Sequence, residues 1–373
     1  MDRAIGKESL RGRAAPAPMP ARDRPQASLL RLQRIAGNRT VAQLVARSAT
    51  PPGHRTLARD YLADMREKSM QDAKDGKFRD PAIQAVYNRY APGTEAQRLG
   101  LWYLDSAPGA APDGVWRRFA WRDIAADAAL RVFDPTLFDQ GPLNVCATAA
   151  TLNLEARHDP RGYGALVWEC FTHGTLKDTE FNSELLTTTP QPGMAVVDWM
   201  LMSAMQSRAN DSYTFNGRPD GHAGTTSKQE RWELKEYAGA VETDTIRTSD
   251  DEDVLPATWK VNDLLSRYPN EVEVMIRLSS KVLQNPDSVE HGVDHAVTLI
   301  KPVTVTLDKT PPGHRYPAPT VFGTSPGVHH ATKGKVSADV FTWGKIMTWT
   351  GTAHQWERMV WAFDVAATRK GIL

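Results

Sequence analysis

The chain is poor in cysteine, in long apolar runs and in charge of one sign, and each shortage excludes a class. Two cysteines in 373 residues build no disulfide framework, and no Cys-x-x-Cys or Cys-rich zinc spacing occurs. No stretch of about eighteen apolar residues is present that would cross a bilayer. Lys and Arg number 45 against 44 Asp and Glu, so the molecule as a whole is not built to neutralise phosphates. Trp and Tyr are scattered without basic residues between them, which gives no support to nucleic-acid stacking. No Gly-rich phosphate loop follows a predicted strand. No cofactor or metal is implied.

What is present is unevenly placed. Residues 1–50 hold ten basic and three acidic residues, a local charge of +7 that leaves the other 323 at −6. From Arg11 to Gln26 Arg alternates with Ala and Pro, too little apolar content to offset ordering entropy. This predicts a flexible basic arm over 1–50. It lacks the apolar segment of a secretory signal peptide, and its prolines argue against an amphipathic organellar transit helix. Within it, LLRLQRIAGNRTVAQLVAR at 29–47 predicts two short helical pieces around a Gly37-Asn38 turn. They would dock onto a partner or onto the protein's own body.

The spacing of apolar residues predicts a helical region over 51–133. A domain over 134–373 is expected to follow, with helices at CATAATLNLEAR, at the Met-rich 194–208, where methionine fills the core, and at QERWELKEYAGA. Alternating or β-branched runs come last: 272–278, 295–301, 303–307, 335–344 and 358–367. The Pro/Gly-rich segment 308–334 reads as a long insertion between strands. Helices followed by strands predict an α+β fold with a helical layer packed against an antiparallel sheet.

The candidate chemistry centres on Cys146. It stands where a turn-rich segment becomes a helix, and free N–H groups there favour a thiolate. Asp294-His295 opens an apolar strand, which makes His295 a candidate base. Gln140, six residues before Cys146, is a candidate oxyanion donor beside the Cys146 N–H. Cys170 reads as a core residue. His291 and His295 lack the helix a two-His zinc motif needs, and His329-His330 reads as an adventitious metal site at most.

Three segments in this order resemble the papain-like cysteine peptidases. DQGPLNVCATAA (139–150) is similar to the family's Gln-Gly, four residues, Cys-x-Ala pattern. VDHAVTLI (293–300) is similar to its Asp-His-Ala-Val strand, and FTWGKIMTW (341–349) to its Asn-Ser-Trp-Gly segment. The resemblance covers about 139 to 367. It implies Cys146 as nucleophile, His295 as base, Gln140 at the oxyanion position and Trp343 as an aromatic shield. Leu143 and Ala147 depart from the family pattern, and Phe341 stands where Asn orients the histidine. For that role we take Asp339, on the same strand face as Phe341, with Asp294 or a solvent or backbone partner as alternatives. The implied reaction is hydrolysis of a peptide or isopeptide bond in a protein substrate, with deamidation or transglutaminase-type acyl transfer as alternatives on the same fold. An inactive structural or docking component is the rival from outside enzymes.

LQR-x-AGN-x-x-V at 32–41 resembles the leader of bacterial proteins linked to extracellular contractile injection systems and polymorphic toxins. It implies an effector or toxin loaded as cargo through residues 29–47. Such cargo would be held in the bacterial cytoplasm before non-classical export.

Overall fold

The computed structural model describes residues 66–106, 114–209, 215–219, 225–248, 254–288, 292, 294–307 and 334–373, all within the unit Asp64–Leu373. The basic arm, the helices expected at 29–47, the loop at 107–113, the insertion at 308–333 and His291, His329 and His330 lie outside these residues.

Helices build the first half, and their edges are set by local chemistry. A helix over 66–74 (α1) precedes α2 (Pro81–Tyr90), where the Asp80 carboxylate accepts from the Ala82 N–H and Pro81 fills a first-turn position that needs no donor. Next come α3 (Glu95–Ser106), α4 (Trp121–Phe133), a 3₁₀ turn at Pro135–Leu137, α5 (Cys146–His158) and α6 (Pro160–His173). A two-strand ribbon follows, β1 (Thr175–Leu176) and β2 (Thr179–Glu180), then α7 (Val196–Ala209) and α8 (Ser227–Tyr237). Thr226 and Gln229 form a capping box that fixes the start of α8. Every residue of α5 from Ala147 to Ala156 is buried, so this helix has no solvent face and shows no amphipathic stripe. Met200, Met202 and Met205 of α7 are fully buried among Trp116, Trp199 and Phe171, as the Met-rich run predicts.

The same apolar cluster runs from Ala73 through Trp102 and Val132 to Phe171, Met205 and Tyr237. The described part of the helical region, residues 66–133, therefore shares this cluster with α5, α6 and α7. α3 and α6 approach so closely that a Cβ on Gly100 would stand 2.4 Å from the Pro160 carbonyl oxygen, and one on Gly164 2.5 Å from that of Gly100.

The second half is an antiparallel sheet with helices inserted. In chain order it contains β3 (Glu242–Arg247), α9 (Val254–Arg267), β4 (Val272–Leu278), α10 (Ser280–Gln284), β5 (His295–Leu299), β6 (Thr304–Leu307), β7 (Gly334–Thr342), β8 (Lys345–Thr352), α11 (Ala353–Met359) and β9 (Val360–Ala367). The spatial order is β3-β9-β4-β5-β7-β6, with β8 on β7. Alternation sorts the side chains. Val274, Ile276, Val297, Val340 and Phe363 face α9 and α11, around Leu264 and Trp356. Met275, Ala296 and Ala366 face Ala147, Ala150 and Leu154 of α5 and Leu234 of α8. The α+β class expected from the sequence is what the structure contains, and α5 lies between the helical cluster and the sheet face that carries Met275, Ala296 and Ala366.

Candidate active site

Cys146 is the first residue of α5. The preceding Val145 makes no side-chain cap, so the first-turn amides have no capping partner from that residue. The loop leading to it is tied down from beneath. Arg131 forms a bidentate pair with Asp198, at 2.5 and 2.6 Å, and the same carboxylate accepts from the Asp139 N–H at 3.1 Å. Both partners are buried, and removing either would strand an uncompensated charge. Asn153 Nδ2 donates to the Pro135 carbonyl at 2.8 Å. Gly141 turns the chain with φ +54°, and Gln140 comes to lie buried beside Cys146.

His295 is the first residue of β5, paired across the sheet with Leu278. Its Nε2 lies 2.5 Å from Thr342 Oγ1, and the Trp343 indole stacks on the imidazole with centroids 4.6 Å apart and planes 13° from parallel. Trp343 and Gly344 are the two central residues of the β7–β8 turn, with φ +46° and +70°, the positive pair that a two-residue hairpin of right-handed twist requires. A bulky residue at the first of these positions is strained. The strained residue is the one that covers the histidine. A Cβ on Gly344 would stand 3.2 Å from both the Phe138 carbonyl oxygen and Asp139 Cβ, so the turn abuts the loop that carries Gln140.

Gln140, Cys146, His295, Thr342 and Trp343 line one small cavity, walled further by Phe138 and Phe341. Three of the four site residues expected from the sequence are thus brought together. The fourth is not. Asp339 accepts from Thr348 Oγ1 at 2.7 Å and pairs with Lys301 Nζ at 2.6 Å, and the β7–β8 register sets it opposite Thr348 without a slip. Thr342, three residues on and so of opposite alternation, takes the histidine nitrogen instead. Asp294 also points elsewhere, accepting from the Ser280 N–H and hydroxyl at 2.7 and 2.6 Å. The signal missed was the hydroxyl next to Phe341, one residue beyond the expected place. Cys170 is fully buried in α6, as expected of a core residue.

The protonation states differ from the sequence expectation. Burial pushes the Cys146 thiol up to about 11, against the lowering effect of the Ala296, Ala147 and Cys146 amides. The helix start was expected to yield a resting thiolate, and desolvation outweighs it. Burial likewise drives His295 down to about 4, with the Asp294 charge opposing. The resting pair is a neutral thiol and a neutral imidazole. The sulfur accepts from the Ala296 N–H at 3.3 Å, and that amide belongs to the residue following the histidine.

Among the described residues no group of three or more His, Cys, Asp or Glu is placed to hold a metal ion, and no helix is long and apolar enough to cross a membrane. Comparison with family models, with curated proteins and with solved structures found no match to this chain.

Proposed function

We propose that the chain is a papain-like cysteine hydrolase acting on a protein substrate, carried as an effector or toxin by its basic leader. The observation that supports this reading most is the convergence on one cavity of a cysteine at a helix start and a histidine clamped between Thr342 and Trp343. With Nε2–H donating to Thr342, the tautomer leaves Nδ1 as the basic nitrogen. On substrate entry His295 takes the thiol proton and the sulfur adds to the acyl carbon. The Gln140 side chain and the Cys146 N–H hold the oxyanion. The C–N bond then breaks, the amine leaves with the proton from His295, and water activated by the same ring releases the acyl group.

Cys146 alkylation tests this directly. A haloacetamide is expected to label Cys146 far faster than Cys170, and Cys146→Ala to abolish hydrolysis of a protein substrate. Labelling of Cys146 no faster than that of Cys170 would instead indicate a catalytically inactive docking component of a secretion particle. The aromatic walls of the cavity favour a second reading within the same chemistry. A slot walled by Phe138, Phe341 and Trp343 suits a slim side-chain carboxamide, the substrate of a deamidase or acyl transferase. Ammonia release from a glutamine-bearing protein, without chain cleavage, would select it. Deleting residues 1–50 is expected to abolish loading into an injection particle and leave the Cys146 labelling rate unchanged.

A further inference from the structure

A cluster of buried charge lies behind the sulfur, outside the cavity. Arg277 on β4 is the cross-strand partner of Ala296, so its side chain leaves the sheet on the α5 face next to the amide that binds Cys146. Its Nε donates to Glu230 Oε2 of α8 at 2.7 Å and lies 3.4 Å from Asp364 Oδ2 of β9. Its Nη2 donates to the Thr225 carbonyl at 3.0 Å. Glu230 Oε1 accepts from Thr225 Oγ1 at 3.0 Å, and Asp364 Oδ1 accepts from Thr245 Oγ1 at 2.5 Å, with Arg231 Nη1 at 3.9 Å. Asp364 Oδ2 is buried and has no hydrogen-bond donor.

Two carboxylates flanking one Nε–H repel each other, and burial places the Glu230 carboxyl at about 8. Cys146 packs against residues of α8, β4, β5 and β9. Glu230 and Arg277 are the charged groups on these elements whose fields reach its sulfur; Glu233 of α8 and Asp364 of β9 are further buried carboxyls there, and His295 of β5 is neutral at rest.

We propose that Arg277 and Glu230 are electrostatic positioning residues for the Cys146 sulfur: the guanidinium favours the thiolate, the Glu230 carboxylate opposes it, and a proton on Glu230 leaves the cation dominant. The consequence for turnover rests on the hydrolase reading. The charge coupling itself does not.

Carbon-13 labelling of the cysteine β-carbons in the full chain follows the ionisation of Cys146 whether or not the protein turns over any substrate. Cys146→Ser assigns the signal. Glu230→Gln, which keeps the shape and an amide oxygen for Arg277, is expected to lower the thiol midpoint by about half a pH unit or more, and Arg277→Gln to raise it by a similar amount. Because the thiolate fraction follows the same shift, iodoacetamide labelling at about pH 8.5 is expected to be roughly threefold faster in Glu230→Gln. Arg277→Lys is expected to restore most of the wild-type midpoint. Should Arg277→Gln fail to fold, Glu230→Gln alone decides the matter. Midpoints unchanged in a folded Glu230→Gln protein, or moved upward, would overturn the proposal. Coupling without hydrolysis would leave it standing while removing the hydrolase reading.

Discussion

An imidazole with one nitrogen tied to a hydroxyl and one face stacked on an indole has its ring plane fixed, but the hydroxyl brings it no countercharge. Thr342 provides that bond to His295 and Trp343 the plane. Thr342→Val keeps the shape and removes the oxygen. On the proposed hydrolase reading it is expected to lower the turnover number on a protein substrate about 10- to 1,000-fold with the fold retained, while Thr342→Ser keeps most of it. Asp339→Asn is expected to change neither, since that carboxylate serves Lys301 and Thr348. The histidine also marks a pH window. Its folded value of about 4 lies below its unfolded value near 6.5, so the burial of the neutral ring stabilises the fold above about pH 6.5 and that contribution is lost as pH falls toward 4. Thermal melts across this range are expected to show a shallower acid decline in His295→Gln than in the wild type. Cys146, His295 and Gln140 were legible in the sequence because each sits in a short local pattern. Thr342 was not, because the partner of a histidine is chosen by the register between β5 and β7, a contact 47 residues away in the chain.

At the level of elements, two glycine-dependent contacts hold the site in place. The β7–β8 turn needs positive φ at both central residues, and only Gly344 adopts it without strain. Gly344→Ala adds that strain to the contact with the Phe138 loop and is expected to destabilise the protein by about 1–2 kcal/mol in urea titrations. The α3–α6 crossing is less forgiving, because the atom opposing Gly100 is a backbone carbonyl. Gly100→Ala is expected to cost about 1–3 kcal/mol. The same glycines explain what the sequence hid. Pro160, Gly162 and Gly164 made α6 a poor helix by propensity, although two of these residues serve its first turn and its packing against α3. β3, reading ETDTIR, carries little apolar alternation because it is an edge strand paired on one side only. By contrast β4, β5 and β9 from Ala362 onward are buried on both faces and lie in the apolar or β-branched runs.

The whole molecule buries several carboxyls, and Glu233 is the simplest of them. No cation among the described residues acts on it. Thr148 Oγ1 lies 3.0 Å from Glu233 Oε1 and 3.1 Å from Gln206 Oε1. That hydroxyl has one proton for two acceptors, so the count closes when Glu233 carries a proton of its own. Burial holds its carboxyl up at about 8, above the unfolded value near 4.5. Its favourable contribution is therefore present below about pH 4.5 and lost as pH rises through 8. Glu233→Gln is expected to raise the melting temperature at about pH 8.5 by several degrees and to leave it nearly unchanged near pH 4.5. This scale was the least legible. Contacts such as that of α3 with α6, which carry one apolar cluster across residue 133, leave no periodic trace in either segment.

The neutral sulfur at the head of α5 bears on chemical durability. Peroxides and disulfides react with thiolates, and a thiol ionising at about 11 is charged in only about one molecule in ten thousand at neutral pH. Resting Cys146 is therefore slow to become a sulfenic acid or a mixed disulfide. A protein that waits between synthesis and use would keep its sulfur reduced without a protecting partner.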